Sequence, residues 1–204
     1  MEKAIALLSG GIDSPVAIHL MNPRLEIIAA HFHQQPLTDE KEIDKVKELV
    51  KKLGLKKVYL VPFTTVLTEL VKKFEHKDYF ILQKIAMFKC AELIAKKEGA
   101  KFLITGENLA QVSSQTLSNM TTITKNLHLE IFRPVLTYDK KEIIDIAQKI
   151  GTYEISKGPE MCCLLGPKHP STKSEPGKII SELAQVELDK LFKEALNKAE
   201  MVEL

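Results

Sequence analysis

At 204 residues, with 45% hydrophobic and 27% charged residues, the chain has the length of one domain and enough apolar material for a core, which excludes a disordered chain. Lys and Arg number 29 against 27 Asp and Glu, a formal net charge of +2 that marks no pronounced nucleic-acid face; only Arg24 and Arg133 are arginine. No stretch approaches the roughly 20 apolar residues of a transmembrane helix, and three cysteines, two adjacent, form no disulfide framework, so no membrane is expected and a reducing cytoplasm is.

Met1-Glu2-Lys3 lacks the layout of a signal peptide and leads into Lys3 to Leu8 (KAIALL), an apolar run that stops at Ser-Gly-Gly as a buried parallel strand does. A helix is predicted from Ser14 to Met21 and a second strand from Leu25 to Phe32. Asp39 with Glu42 resembles a capping box opening a helix that reaches Leu53 and stops at Gly54. Lys57 to Val61 is a third strand; the longest helix spans about Asp78 to Glu98 and ends at Gly99; Lys101 to Thr105 is a fourth strand. Asp139 and Glu142 cap a further helix ending at Gly151. Strands alternating with helices give right-handed crossovers and an α/β, doubly wound parallel sheet covered on both faces.

Two segments break the rhythm. Gln111 to Asn126 is polar and rich in Ser and Thr, and Ser156 to Gly177 holds four prolines and both adjacent cysteines, which reads as a long loop. Beyond it Ile180, Leu183, Ala184, Leu188, Leu191 and Ala195 recur at helical spacing. The expected organisation is one domain over residues 1–177 and an amphipathic helix over 178–204, packed on the domain or on a partner.

The sharpest local signal is Ser9-Gly10-Gly11-Ile12-Asp13-Ser14 after the first strand. Two glycines let backbone N–H groups approach a phosphate, and the following helix presents its positive end to the same anion. With no G-x-x-x-x-G-K-[ST] it is not a Walker A loop, and Asp13 in a phosphate cradle implies Mg2+ or a turn-orienting role. Gly-Gly alone is an ordinary strand-to-helix turn; the whole S-G-G-x-D-S string is more specific.

This string resembles the PP-loop of the N-type ATP pyrophosphatases, the adenine nucleotide alpha hydrolases, which cleave ATP between the α and β phosphates. Further along stand Thr105-Gly106-Glu107-Asn108-Leu109-Ala110-Gln111-Val112-Ser113-Ser114-Gln115-Thr116-Leu117, Arg133-Pro134, Tyr138-Asp139-Lys140, Ile150-Gly151-Thr152, Cys162-Cys163 and Pro167-Lys168-His169-Pro170. In this order and spacing they resemble the catalytic domain of the tRNA 4-thiouridine synthetases, tRNA sulfurtransferases also linked to thiamine thiazole synthesis.

That resemblance implies ATP and Mg2+ as cofactors, adenylation of a uridine C4 oxygen, and its replacement by persulfide sulfur to give 4-thiouridine. It places Asp13 and Cys163 in the catalytic set, with Cys162 the second candidate because Glu160-Met161 can register on either cysteine. Lys168, His169 and Lys173 would favour the thiolate. It places ATP against Leu7, Leu8, Ser9, Gly10, Gly11, Asp13, Ser14, His31, Phe32, Lys84, Gly106 and Gln115. Lys84 stands where the family usually has arginine, and Ala110 where a glycine is common. Adjacent cysteines lack metal-ligand spacing, so no metal site is expected there; Cys90, on an inward helix face, reads as a buried structural thiol. His31 and His33 alternate about Phe32, as surface histidines or metal ligands also do.

Full-length members carry a THUMP domain, a ferredoxin-like piece and sometimes a rhodanese domain. A stand-alone catalytic domain is therefore expected, with tRNA held through a separate THUMP-type protein or through its own lysines. A cysteine desulfurase or other persulfide donor is the implied sulfur source, and the terminal helix suits a homodimer contact. The rival readings are another adenylating enzyme (an amide ligase or a small-molecule thiolation) and a nucleotide-binding module.

Overall fold

In the computed structural model, which describes residues 1–109, 111–157, 165–184 and 186–204, the apolar runs form six strands. They are β1 (Lys3–Leu7), β2 (Glu26–His33), β3 (Lys57–Pro62), β4 (Phe102–Ile104), β5 (Glu130–Phe132) and β6 (Glu200–Glu203). Their order in the sheet is β5-β4-β1-β2-β3-β6. The first five are mutually parallel, and β6 adds antiparallel to β3 at the edge. The sheet is thus parallel where the expectation placed strands, with one antiparallel strand beyond it.

The period of two sorts side chains between two cores. Ala4, Ala6, Ile27 and Ala29 face one layer with Val16, Ile18, Val46, Leu49 and Ile143. Those partners lie on α1 (Asp13–Met21), α2 (Lys41–Lys52) and α6 (Lys140–Lys149). Ile5, Leu7, Ile28 and Ala30 face the other layer, against Leu67, Leu82, Ile85 and Phe192. These lie on α3 (Thr64–Lys73), α4 (Tyr79–Glu98) and α9 (Leu188–Asn197). Gly54, Gly99 and Gly151 end their helices at positive φ, as their positions predict. Cys90 is fully buried in α4, and burial pushes its thiol up to about 12, which makes it structural.

Four departures have local causes. The Ser/Thr-rich stretch folds into α5 (Leu117–Thr124): Thr116 caps it by accepting from Asn119 N, and Thr121, Thr122 and Thr124 return their hydroxyls to carbonyls four residues back. The capping box at α6 forms, but the one at Asp39 does not. Asp39 accepts only from Lys41 N, while the Glu42 carboxylate lies 3.6 Å from the His31 ring.

The terminal segment is not one helix. It forms α8 (Pro176–Leu183), α9 and then β6, because the chain must turn back to pair with β3. Phe192 of α9 stacks on Phe63 at 6.5 Å, so the segment packs on the domain. The loop expected from Ser156 is interrupted too: α7 (Tyr153–Ser156) precedes it, and α8 begins at Pro176.

Candidate active site

The chain runs outward from β1 through β2 to β3, then returns to the other side of β1 for β4 and β5. This reversal opens a crevice beyond the carboxyl ends of β1 and β4, where doubly wound sheets bind ligands. The S-G-G-x-D-S string lies in it. Leu8 N donates to Ala30 O at 3.0 Å, fixing the end of β1 to β2. Ser9 N donates to Ser14 Oγ at 2.9 Å, the Ser9 and Ser14 hydroxyls are 3.0 Å apart, and Gly11 N donates to Ser9 Oγ at 3.2 Å.

The loop is therefore closed by its two serines, and α1 starts at Asp13 without a side-chain cap. The first-turn N–H groups of α1 are left to a ligand, and the helix dipole makes an anion the favoured one. Two lysines approach the loop. Lys140 Nζ lies 3.2 Å from Asp13 Oδ1, and Lys45 Nζ donates to Gly10 O at 3.3 Å and to Ser156 O at 3.3 Å.

The opposite wall follows β4. A Cβ at Gly106 would stand 2.5 Å from Ser14 N and 2.8 Å from Asp13 C, so glycine is what lets the β4 loop touch the phosphate loop. Glu107, 3% exposed, bridges two cations: Lys84 Nζ at 2.7 Å and Arg133 Nε at 2.8 Å. Burial works against its charge, yet the two cations outweigh it and hold the carboxyl below its ordinary value. Gln115 accepts from Asn108 N at 3.3 Å, and Asn108 Nδ2 donates to Val135 O at 2.8 Å and to Tyr138 O.

At the end of β2, His31 Nδ1 lies 2.9 Å from Leu8 O; a carbonyl only accepts, so Nδ1 carries the proton. Burial lowers its pKa to about 4, partly offset by that hydrogen bond, so the ring is neutral and its contact with Glu42 is no ion pair. His31 and His33 are buried, not surface residues, and no group of three metal-binding side chains occurs among the described residues. Phe32 turns to the other face, edge-on to Phe63 at 4.8 Å.

Leu7, Leu8, Ser9, Gly10, Gly11, Asp13, Ser14, His31, Phe32, Gly106 and Gln115 thus stand at one edge of the sheet, with Lys84 joined to them through Glu107. Cys162, Cys163 and Ala110 lie outside the described residues. The nearest described groups on either side of the cysteines are both anchored. Ser156 O accepts from Lys45, and Leu165 O is 2.7 Å from His76 Nε2. Further on, Ser171 O accepts from Asn119 Nδ2, which also holds Ser113 O beside Gln115. Lys168, His169 and Lys173 are exposed.

Sequence reading missed Lys45 and Lys140 as parts of the site. Lys140 had a faint signal, as the residue after a helix N-cap; Lys45, on a lysine-rich helix, had none.

A glycine-rich anion loop between β1 and α1, closed against the β4 loop at a strand-order reversal, defines a PP-loop nucleotide-binding α/β domain. Residues 1–188 match the family model Thiamine biosynthesis protein (ThiI), and the chain belongs to that family. A probable tRNA sulfurtransferase of Acetivibrio thermocellus is 40% identical over 98% of this chain and 53% of its own length. One from Thermoanaerobacter pseudethanolicus is 45% identical over 92% of this chain and 51% of its own. The chain spans about half the length of these curated relatives. A crystal structure of a 4-thiouridine synthetase in complex with RNA and bound ATP superposes with a TM-score of 0.93 at 36% identity, over 98% of this chain and 55% of that one.

Proposed function

We propose that the chain is the catalytic domain of an ATP-dependent tRNA sulfurtransferase. It would adenylate a uridine C4 oxygen, release pyrophosphate, and exchange the adenylated oxygen for persulfide sulfur to give 4-thiouridine. The observation that carries this reading is the serine-closed loop with the uncapped start of α1, which Gly106 brings into contact with the β4 wall. The likeness to a 4-thiouridine synthetase with bound ATP supports the same assignment.

Each residue has a physical part. The loop amides and the α1 dipole bind phosphate, and Lys140 adds a positive charge at the rim beside Asp13. Leu7, Leu8, His31 and Phe32 form the nucleotide wall at the ends of β1 and β2. Lys84, held by Glu107, and Gln115, which fixes the β4 loop through Asn108, orient the second wall.

Asp13 is a partly exposed carboxylate at a phosphate loop, the donor set that suits Mg2+, which takes one or two carboxylates and completes its shell with phosphates and water. Bound there, Mg2+ would neutralise developing pyrophosphate charge. Cys163, or Cys162 beside it, supplies the sulfur-bearing thiolate. A cysteine desulfurase or other persulfide donor loads it, and tRNA is bound with a THUMP-type domain or partner, in the cytoplasm. Sulfur transfer to the thiamine thiazole and a homodimer belong to the same proposal. Among the described residues no helix is long and apolar enough to cross a membrane.

The test measures AMP and pyrophosphate with and without unmodified tRNA, in wild type, Asp13→Ala and Cys163→Ser. Expected are tRNA-stimulated AMP formation, its loss in Asp13→Ala, and adenylation without thiolation in Cys163→Ser. Equal AMP formation without tRNA would point to a small-molecule acceptor, and ADP with orthophosphate would overturn the reading.

A further inference from the structure

Lys45 sits on α2 beside Val46, which is fully buried, so its backbone is fixed to the sheet while its side chain reaches the carboxyl edge. The ammonium donates to two carbonyls that belong to different parts of the chain. One is Gly10 O in the phosphate loop, and the other is Ser156 O at the end of α7, each at 3.3 Å. Gly10 makes room for this reach, since a Cβ there would stand 3.0 Å from Lys45 Cδ. Ser156 is 2% exposed, and α7 packs on both α2 and α6, so its carbonyl is a fixed point. From Lys157 the chain leads on to Cys162 and Cys163.

A phosphate in the loop attracts this ammonium, whereas the Ser156 carbonyl holds it by dipole alone. Filling the loop therefore changes how strongly Lys45 engages Ser156, which is a coupling free energy between two places in the fold. We infer that Lys45 is a positioning residue that couples occupancy of the phosphate loop to the end of α7, and through it to the cysteine pair. The consequence for sulfur transfer rests on the proposed function; the coupling itself does not.

The test follows the alkylation rate of Cys162 and Cys163 in the full chain with and without ATP, alongside ATP affinity by calorimetry. Cys90, buried throughout, reacts slowly and sets the background. In wild type ATP changes the rate by at least about fivefold, the lower range of measured couplings. In Lys45→Met the change falls below about twofold although ATP still binds, and Lys45→Arg, which keeps the charge and donors, restores it. In turnover with tRNA, Lys45→Met releases several AMP molecules per thiolated uridine.

An unchanged ATP response in Lys45→Met overturns the inference. So does loss of ATP binding in that variant, which would confine Lys45 to the loop, and so does the absence of any ATP response in wild type. An ATP response in wild type without thiolation of tRNA would leave the coupling standing and remove the sulfur-transfer reading.

Discussion

Glu107 is a carboxylate with almost no solvent, and its charge persists only because Lys84 and Arg133 face it from α4 and from the end of β5. Glu107→Gln leaves both cations without a counter-charge. The expected loss is roughly 2–3 kcal/mol at neutral pH, below the full cost of breaking a buried pair because both cations keep some contact with water. The folded pKa is lowered, so this stabilisation is complete above the unfolded value of 4.5 and is lost as pH falls through the lower folded one. Denaturation midpoints of wild type and Glu107→Gln should converge toward pH 3. His31 acts over a different window. Its pKa falls from 6.5 unfolded to about 4 folded, so the unfolded chain binds the extra proton in between and stability drops as pH falls through that range. The full drop is about 3 kcal/mol. His31→Gln, which keeps a donor toward Leu8 O, should flatten most of the slope between pH 6.5 and 5, leaving the smaller part due to His33.

Two segments of this chain carry the same D-x-x-E signature, and only one makes a capping box. At α6 the Asp139 and Glu142 side chains satisfy each other's backbone N–H groups at 2.8 Å. Asp139→Ala should cost about 1 kcal/mol in urea unfolding, whereas Asp39→Ala should stay within about 0.5 kcal/mol. The α6 variant should also raise the KM for ATP, since its first turn carries Lys140 to Asp13. The difference is invisible locally, because the group that draws Glu42 away is His31 on another strand. The same logic decides what was legible elsewhere. Parallel strands buried on both faces show as unbroken apolar runs, glycine stops are written at a single position, and the phosphate loop is six consecutive residues. By contrast, β5 is three residues long, β6 buries little beyond part of Val202, and α3 opens on Thr64-Thr65-Val66, poor helix formers. The Lys84–Glu107–Arg133 bridge and the Lys45 clamp join residues far apart in sequence, so periodicity and spacing carry no trace of them.

At the scale of the whole molecule, the crevice belongs to two strands that are neighbours in space and separated in sequence by β2, β3 and their helices. Its two walls meet only at Gly106 and the Asp13–Ser14 peptide, where a methyl group would lie within 2.5–2.8 Å of backbone atoms on the other wall. Those atoms cannot swing aside as a side chain end does; the loops must part. Gly106→Ala should therefore cost about 1–3 kcal/mol, as overpacking of a filled interior does. It also separates the structural role of the contact from its binding role. A ligand that binds only the folded state at a hundredfold its Kd adds about 2.7 kcal/mol, which for a chain of this size raises Tm by roughly 5–10 °C. ATP bound across the crevice should give wild type a shift of that order and Gly106→Ala almost none, even when the variant is measured well below its own Tm. If the variant kept the full ATP shift while melting lower, the nucleotide would have to bind without needing the two walls together. The meeting of the β1 and β4 loops would then serve stability alone.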